Sequence, residues 1–168
     1  MKLRVLEAHL EGAVPSMPPF AAQPCLMTDD GLRSEVSKEG IARILIVEDD
    51  FLISSEMEIE LAAAGFEIVA VARSANEAVA LALRHKPDLV VMDIRIQGSR
   101  DGVEAAIEIF NSSGIRSLFA SAHHNRETQQ RAETCFPLGW LAKPFTMSAL
   151  VDAVSAAVRD IHYRRGGV

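Results

Sequence analysis

The chain has 168 residues, 49% of them hydrophobic, and a formal net charge of −6. That is enough apolar material for one domain with its own core, and the acidic balance argues against a general nucleic-acid or membrane-surface binder. Cys25 and Cys135 are too few for a disulfide framework. No window reaches the roughly 18 apolar residues of a membrane helix, so the cytoplasm is the expected compartment. Residues 1–40 read as a poorly ordered arm, because Pro15, Pro18, Pro19 and Pro24 interrupt any helix or strand. A short helix over Leu3–Leu10 fits within it, and a translation start near Met27 is the alternative reading of the same segment. The domain is expected over residues 41–163, with 164–168 as a flexible tail carrying Arg164 and Arg165.

Regular patterning begins at Ile41. Ile44-Leu45-Ile46-Val47 is a short, fully apolar run, which suits a strand buried on both faces. Phe51 to Ala64 predicts a helix closed by Gly65, and Phe66 to Val71 the next strand. Ser74-Ala75-Asn76-Glu77 has the form of a capping box. The helix it opens runs to His85 and stops before Pro87. Leu89-Val90-Val91-Met92 is a third strand, and Gly102–Asn111 a helix with Val103, Ala106, Ile107 and Phe110 at helical spacing. Ile115–Ala120, Arg126–Cys135, Trp140-Leu141 and Thr146–Ile161 complete the series as strand, helix, strand and helix.

Five βα units at this rhythm imply an α/β fold with a five-stranded, doubly wound parallel sheet, flavodoxin-like, in the order 2-1-3-4-5. Ligands bind such sheets beyond the carboxyl ends of the strands. The sequence places Glu48 and Asp49 after the first strand, Asp93 after the third, Ser121 after the fourth and Lys143 after the fifth. Three carboxylates at one rim suit a hard cation such as Mg²⁺, which takes oxygen ligands. An aspartate can attack phosphorus to form an aspartyl-phosphate, and a lysine and a hydroxyl can clamp the charge that develops.

Ile44 to Asp50, Met92-Asp93-Ile94-Arg95, Asp101-Gly102, Ser121-Ala122 and Lys143-Pro144-Phe145 together resemble the signature positions of response-regulator receiver domains, over about residues 42–161. The resemblance implies that Asp93 is the phosphoacceptor and that Mg²⁺ is the cofactor. Its ligands are then Glu48, Asp49, Asp93 and the backbone carbonyl of Arg95. Ser121 and Lys143 contact the phosphoryl group, and Ser121 and Trp140 form the switch. The Lys143–Pro144 bond is often cis in this family. The implied partners are a histidine kinase or histidine phosphotransfer protein and a downstream protein, with neither nucleic acid nor membrane. No output domain is expected after residue 161, so the function implied is that of a free-standing response regulator signalling through protein contacts. The alternative is a phosphorelay intermediate that passes the group onward.

The chain departs from the common pattern in two places. Gln97-Gly98-Ser99-Arg100 lengthens the loop after Asp93, and Trp140 stands where the family usually has Tyr, Phe or a smaller residue. Other roles compete at single positions. Asp50 and its neighbours suit an acidic helix start, Ser121 can cap a helix, and Lys143 can be an ordinary surface lysine. His123-His124 lack metal-ligand spacing, and Cys135 reads as a core thiol. A phosphatase with an aspartate nucleophile commonly shows Asp-x-Asp, and Arg95 occupies the second place here. A flavin or nucleotide module needs a phosphate-cradling first loop, which Glu48-Asp49-Asp50 would repel.

Overall fold

The computed structural model describes residues 40–122 and 125–166. Five strands alternate with helices: β1 (Arg43–Val47), α1 (Phe51–Ala63), β2 (Glu67–Ala72), α2 (Ala75–His85), β3 (Leu89–Met92), α3 (Gly102–Ser113), β4 (Arg116–Ser121), α4 (Arg126–Ala132), β5 (Gly139–Ala142) and α5 (Met147–Gly166). All strand pairs are parallel and the sheet order is β2-β1-β3-β4-β5, as the βα rhythm predicts.

The unbroken apolar runs are explained by burial on both faces. Leu45, Val47, Val90, Met92 and Phe119 pack with residues of α2 and α3. Ile44, Ile46, Leu89, Val91 and Leu118 point the other way, against Met57 and Leu61 of α1 and Leu150 and Val154 of α5. The two-residue period of each strand thus feeds two cores.

Helix ends follow local chemistry. Asp50 caps α1, its Oδ1 accepting from the amides of Leu52 and Ile53 at 2.8 and 3.2 Å. Ser74 caps α2, but Glu77 accepts from the Arg73 amide at 2.8 Å, so the expected box closes one residue early. The complete box lies at α3. There Asp101 accepts from the Glu104 amide and Glu104 accepts from the Asp101 amide.

Among the boundaries that differ from expectation, three are informative. The fourth strand reaches Ser121, one residue further than the pattern indicated. The fourth helix tightens into a 3₁₀ turn at Glu133–Cys135, because Phe136 adopts a left-handed φ of 49° and returns its amide to Glu133. The last helix continues beyond Ile161 to Gly166, so the start of the stretch expected as a flexible tail is helical. Asp160 accounts for part of that extension: it binds Arg164 one turn on, at 2.9 Å, and Arg116 of β4 at 3.2 Å. Residues 1–39 of the expected arm 1–40, and the pair His123-His124, lie outside the described residues. Among those residues no helix is long and apolar enough to cross a membrane.

Candidate functional site

The parallel ladder continues one residue past three strand ends, and this places the site. The Glu48 amide donates to the Ala72 carbonyl at 2.9 Å, the Asp93 amide to Val47 at 2.9 Å, and the Lys143 amide to Ser121 at 3.2 Å. The backbone of each residue is therefore held in register while its side chain leaves the sheet at the same rim.

Carboxylate oxygens of Glu48, Asp49 and Asp93 all lie within 4.8 Å of one another. Glu48 is 2% exposed and Asp93 7%, while Asp49 is half-buried. Lys143 bridges the two buried acids, its Nζ donating to Glu48 Oε2 at 2.5 Å and to Asp93 Oδ2 at 2.6 Å. Asp93 Oδ1 accepts from the Arg95 amide at 3.2 Å, so both oxygens of Asp93 are oriented. Burial pushes the Glu48 carboxyl above its ordinary value, and the hydrogen bond and charge of Lys143 oppose the rise. Burial also disfavours the charge on Lys143. The hydrogen bonds to Asp93 and Glu48 outweigh it and hold the ammonium above the usual lysine range.

The structure brings together Glu48, Asp49, Asp93 and Lys143, and separates Asp50, which is spent on capping α1. Ser121 is buried at the last position of β4, and Asn125 caps the following helix, so a capping role for Ser121 is excluded. Trp140 pairs directly with Phe119 across β4 and β5. Their rings stack with centroids 4.6 Å apart and planes 17° from parallel. Phe119 lies two residues before Ser121, on the same face of β4. The Lys143–Pro144 bond is cis.

The lengthened loop is held rather than loose. Gly98 takes a φ of +111°, which glycine adopts without a side-chain penalty. Gln97 bridges to Ser74 and donates its amide to the Arg73 carbonyl at 3.1 Å. Arg100 reaches Asn76 of α2 at 3.0 Å and also pairs with Glu108 of α3.

Gly102 is a site residue that the residue pattern marked only as part of a motif. A Cβ there would stand 1.9 Å from the Asp93 carbonyl oxygen, and its amide donates to the Ile94 carbonyl at 2.8 Å. The start of α3 is thus pressed against the backbone of Asp93. An Asp-Gly pair opening a helix was the available signal; the close approach itself is a three-dimensional fact.

The donor set fits a hard divalent cation. It is all carboxylate and clustered, with two of its three acids buried, and its only close cation is one lysine among the described residues. This rim lies at the switch point of a doubly wound sheet, and its acidic first loop does not suit a nucleotide binder. Residues 44–155 match the response regulator receiver domain family, and the chain belongs to that family, whose members serve two-component signalling. It is 40% identical over 116 residues to the transcriptional regulatory protein PdtaR of Mycobacterium tuberculosis, covering 69% of this chain and 56% of that protein. The chemotaxis protein CheY of Halobacterium salinarum is 31% identical over 114 residues, which cover 67% of this chain and 93% of CheY. The signal receiver domain of a modulated diguanylate cyclase from Desulfovibrio desulfuricans G20 superimposes with a TM-score of 0.67 at 31% identity. That match covers 74% of this chain and 98% of the other. The chain thus spans about half the length of PdtaR.

Proposed function

We propose that this chain is a phosphorylatable signalling switch in which Asp93 accepts a phosphoryl group from a histidine kinase or histidine phosphotransfer protein. One observation carries the reading: Lys143 at the end of β5 is hydrogen-bonded to both Asp93 and Glu48 inside a cluster of three carboxylates. A carboxylate oxygen of Asp93 attacks phosphorus, forming the O–P bond as the donor's P–N bond breaks. The electron pair of that bond stays on the departing imidazole nitrogen. Lys143 balances the charge on the phosphoryl oxygens, and the Ser121 hydroxyl contacts one of them. Glu48, Asp49, Asp93 and the backbone carbonyl of Arg95 would hold Mg²⁺. When bound, that ion neutralises the carboxylate cluster and the incoming phosphoryl oxygens.

The chain catalyses its own phosphorylation and dephosphorylation as a signalling receiver domain rather than as a conventional enzyme. Its output is a protein–protein contact in the cytoplasm, without nucleic acid or membrane, and residues 41–163 form the working unit. The direct test is incubation with Mg²⁺ and acetyl phosphate, followed by mapping of the added phosphate by mass spectrometry. Asp93 should carry the label and Asp93→Asn should carry none. Label on Asp49 or Ser121 in the intact protein would overturn the assignment.

Trp140 gives the switch an optical reporter, since it is the sole tryptophan. Movement of Ser121 toward the phosphoryl group displaces Phe119 two residues back, and so disturbs the Phe119–Trp140 stack. Mg²⁺ with beryllofluoride should therefore shift the emission of Trp140 and its quenching by acrylamide, and should do neither in Asp93→Asn. A flat response in both proteins would remove Trp140 from the switch.

A further inference from the structure

α4 is weakly held by its own packing. It has seven residues and buries only Ala132. A helix this short has little stability of its own, so its ties to neighbouring elements decide where it sits. Its last turn carries Arg131. Nη1 lies 2.8 Å from Asp101 Oδ2, and Nη2 lies 3.2 Å from Asp101 Oδ1. This is a two-point fork from one guanidinium to one carboxylate, the geometry in which a surface pair has most effect.

Asp101 is itself tied to the site. Its Oδ1 also accepts from the Glu104 amide at 2.9 Å, as the cap of α3. The next residue is Gly102, whose amide holds the Ile94 carbonyl and whose Cα presses on the Asp93 carbonyl. An unbroken series of contacts therefore runs from the backbone of Asp93 through Gly102 and Asp101 to Arg131 and α4. Neighbouring Arg100 does not compete for Asp101, because it is engaged by Glu108 and Asn76.

We propose that Arg131 is a positioning residue whose fork on Asp101 latches α4 to the loop following Asp93, so that the state of Asp93 is passed to α4. The proposal rests on the reading of Asp93 as phosphoacceptor. The exposure of the pair suits this role. The side chains of Arg131 and Asp101 are 42% and 33% exposed, so opening the fork returns both charges to water. A fully buried pair would be locked, since breaking it strands a charge. A single-point exposed pair would be too weak to move a helix. The coupling is reciprocal by linkage: whatever shifts α4 also shifts the loop.

The test is hydrogen exchange read by mass spectrometry on the full chain, following peptides of α4 and of α3. Arg131→Gln removes one charge of the pair. Asp101→Asn removes the other while keeping the α3 cap, since asparagine caps as well as aspartate. In the free protein each variant should raise α4 exchange by about three- to tenfold, as expected for a local opening, and the double variant should add nothing further. With Mg²⁺ and beryllofluoride, wild-type α4 exchange should change by at least about threefold, and the variants should show less than about half that response. Bound beryllofluoride is verified in each protein by its ¹⁹F resonance. Unaltered α4 exchange in the free variants overturns the latch. A full beryllofluoride response in the variants overturns its role in signalling. A wild type that takes label on Asp93 but shows no α4 response also overturns that role. A wild type that takes no label on Asp93 overturns the phosphoacceptor reading and the signal with it, while the double variant still decides the latch in the free protein.

Discussion

Gly102→Ala is expected to destabilise the protein by about 3 kcal/mol or more, the range of a core clash that backbone must relieve, and to prevent labelling of Asp93. The added Cβ would stand 1.9 Å from the Asp93 carbonyl oxygen, 2.9 Å from its carbon and 3.1 Å from the Ile94 Cα. All three are backbone atoms, so no side chain can rotate away. Either α3 lifts or the Asp93–Ile94 segment moves, and either movement strains the 2.8 Å bond between the Gly102 amide and the Ile94 carbonyl. Helix propensity pulls the other way, since alanine gains about 1 kcal/mol over glycine within a helix, but that gain is smaller than the clash. Gly114 provides the control. It takes a φ of +70° and has nothing within 4 Å of an added Cβ, so Gly114→Ala suffers only the strain of a left-handed residue, roughly 1–2 kcal/mol. Urea midpoints of the two variants separate the causes. A Gly102→Ala protein as stable as Gly114→Ala, with Asp93 still labelled, would show that α3 does not press on the Asp93 backbone.

The comparison also explains what the residue pattern can and cannot carry. Strand runs such as Ile44–Val47 and Leu89–Met92 are legible because burial on both faces leaves no polar position in them. Glu48, Asp49, Asp93, Ser121 and Lys143 are legible because parallel strands end at one edge, so residues far apart in sequence must meet there. Lys143 lies 95 residues from Glu48, and topology alone brings them to 2.5 Å. The Gly102 approach leaves no comparable signal, since periodicity reports which face a residue takes and not how near two backbones come. The Asp101–Arg131 fork joins a half-buried cap residue of α3 to an exposed residue of α4, 30 positions apart. Exposed charges carry no periodic mark, so their partners appear only once the helices are placed. The same limit applies to Gln97–Arg100, where an extra residue signals a longer loop without indicating that Arg73 and Asn76 would hold it.

Lys143→Met is expected to lower the stability of the metal-free protein by about 3 kcal/mol near neutral pH, the cost of leaving a buried charge without its partner. Methionine keeps most of the stem and removes the ammonium. Glu48 and Asp93, 2% and 7% exposed, then face each other and Asp49 with no cation between them. The pH dependence follows from the sign of the Glu48 shift. Burial already holds its carboxyl above the ordinary 4.5 while Lys143 opposes the rise. A carboxyl with a raised value in the folded state binds its proton more tightly there than in the unfolded chain. Its stability contribution is therefore greatest below 4.5 and is lost as pH climbs through the raised value. Removing Lys143 takes away the opposing attraction and extends that window upward. The deficit of the variant should accordingly be small in acid and grow toward neutral pH, with wild-type Lys143 remaining charged throughout. Mg²⁺ should restore more stability to Lys143→Met than to wild type, because it replaces the missing positive charge; at one hundred times its dissociation constant, any ligand specific to the folded state contributes about 2.7 kcal/mol. Urea unfolding from acid to neutral pH, with and without Mg²⁺, measures all of this. A deficit that does not change with pH, or one that Mg²⁺ leaves untouched, would mean that Lys143 packs at this rim without neutralising it.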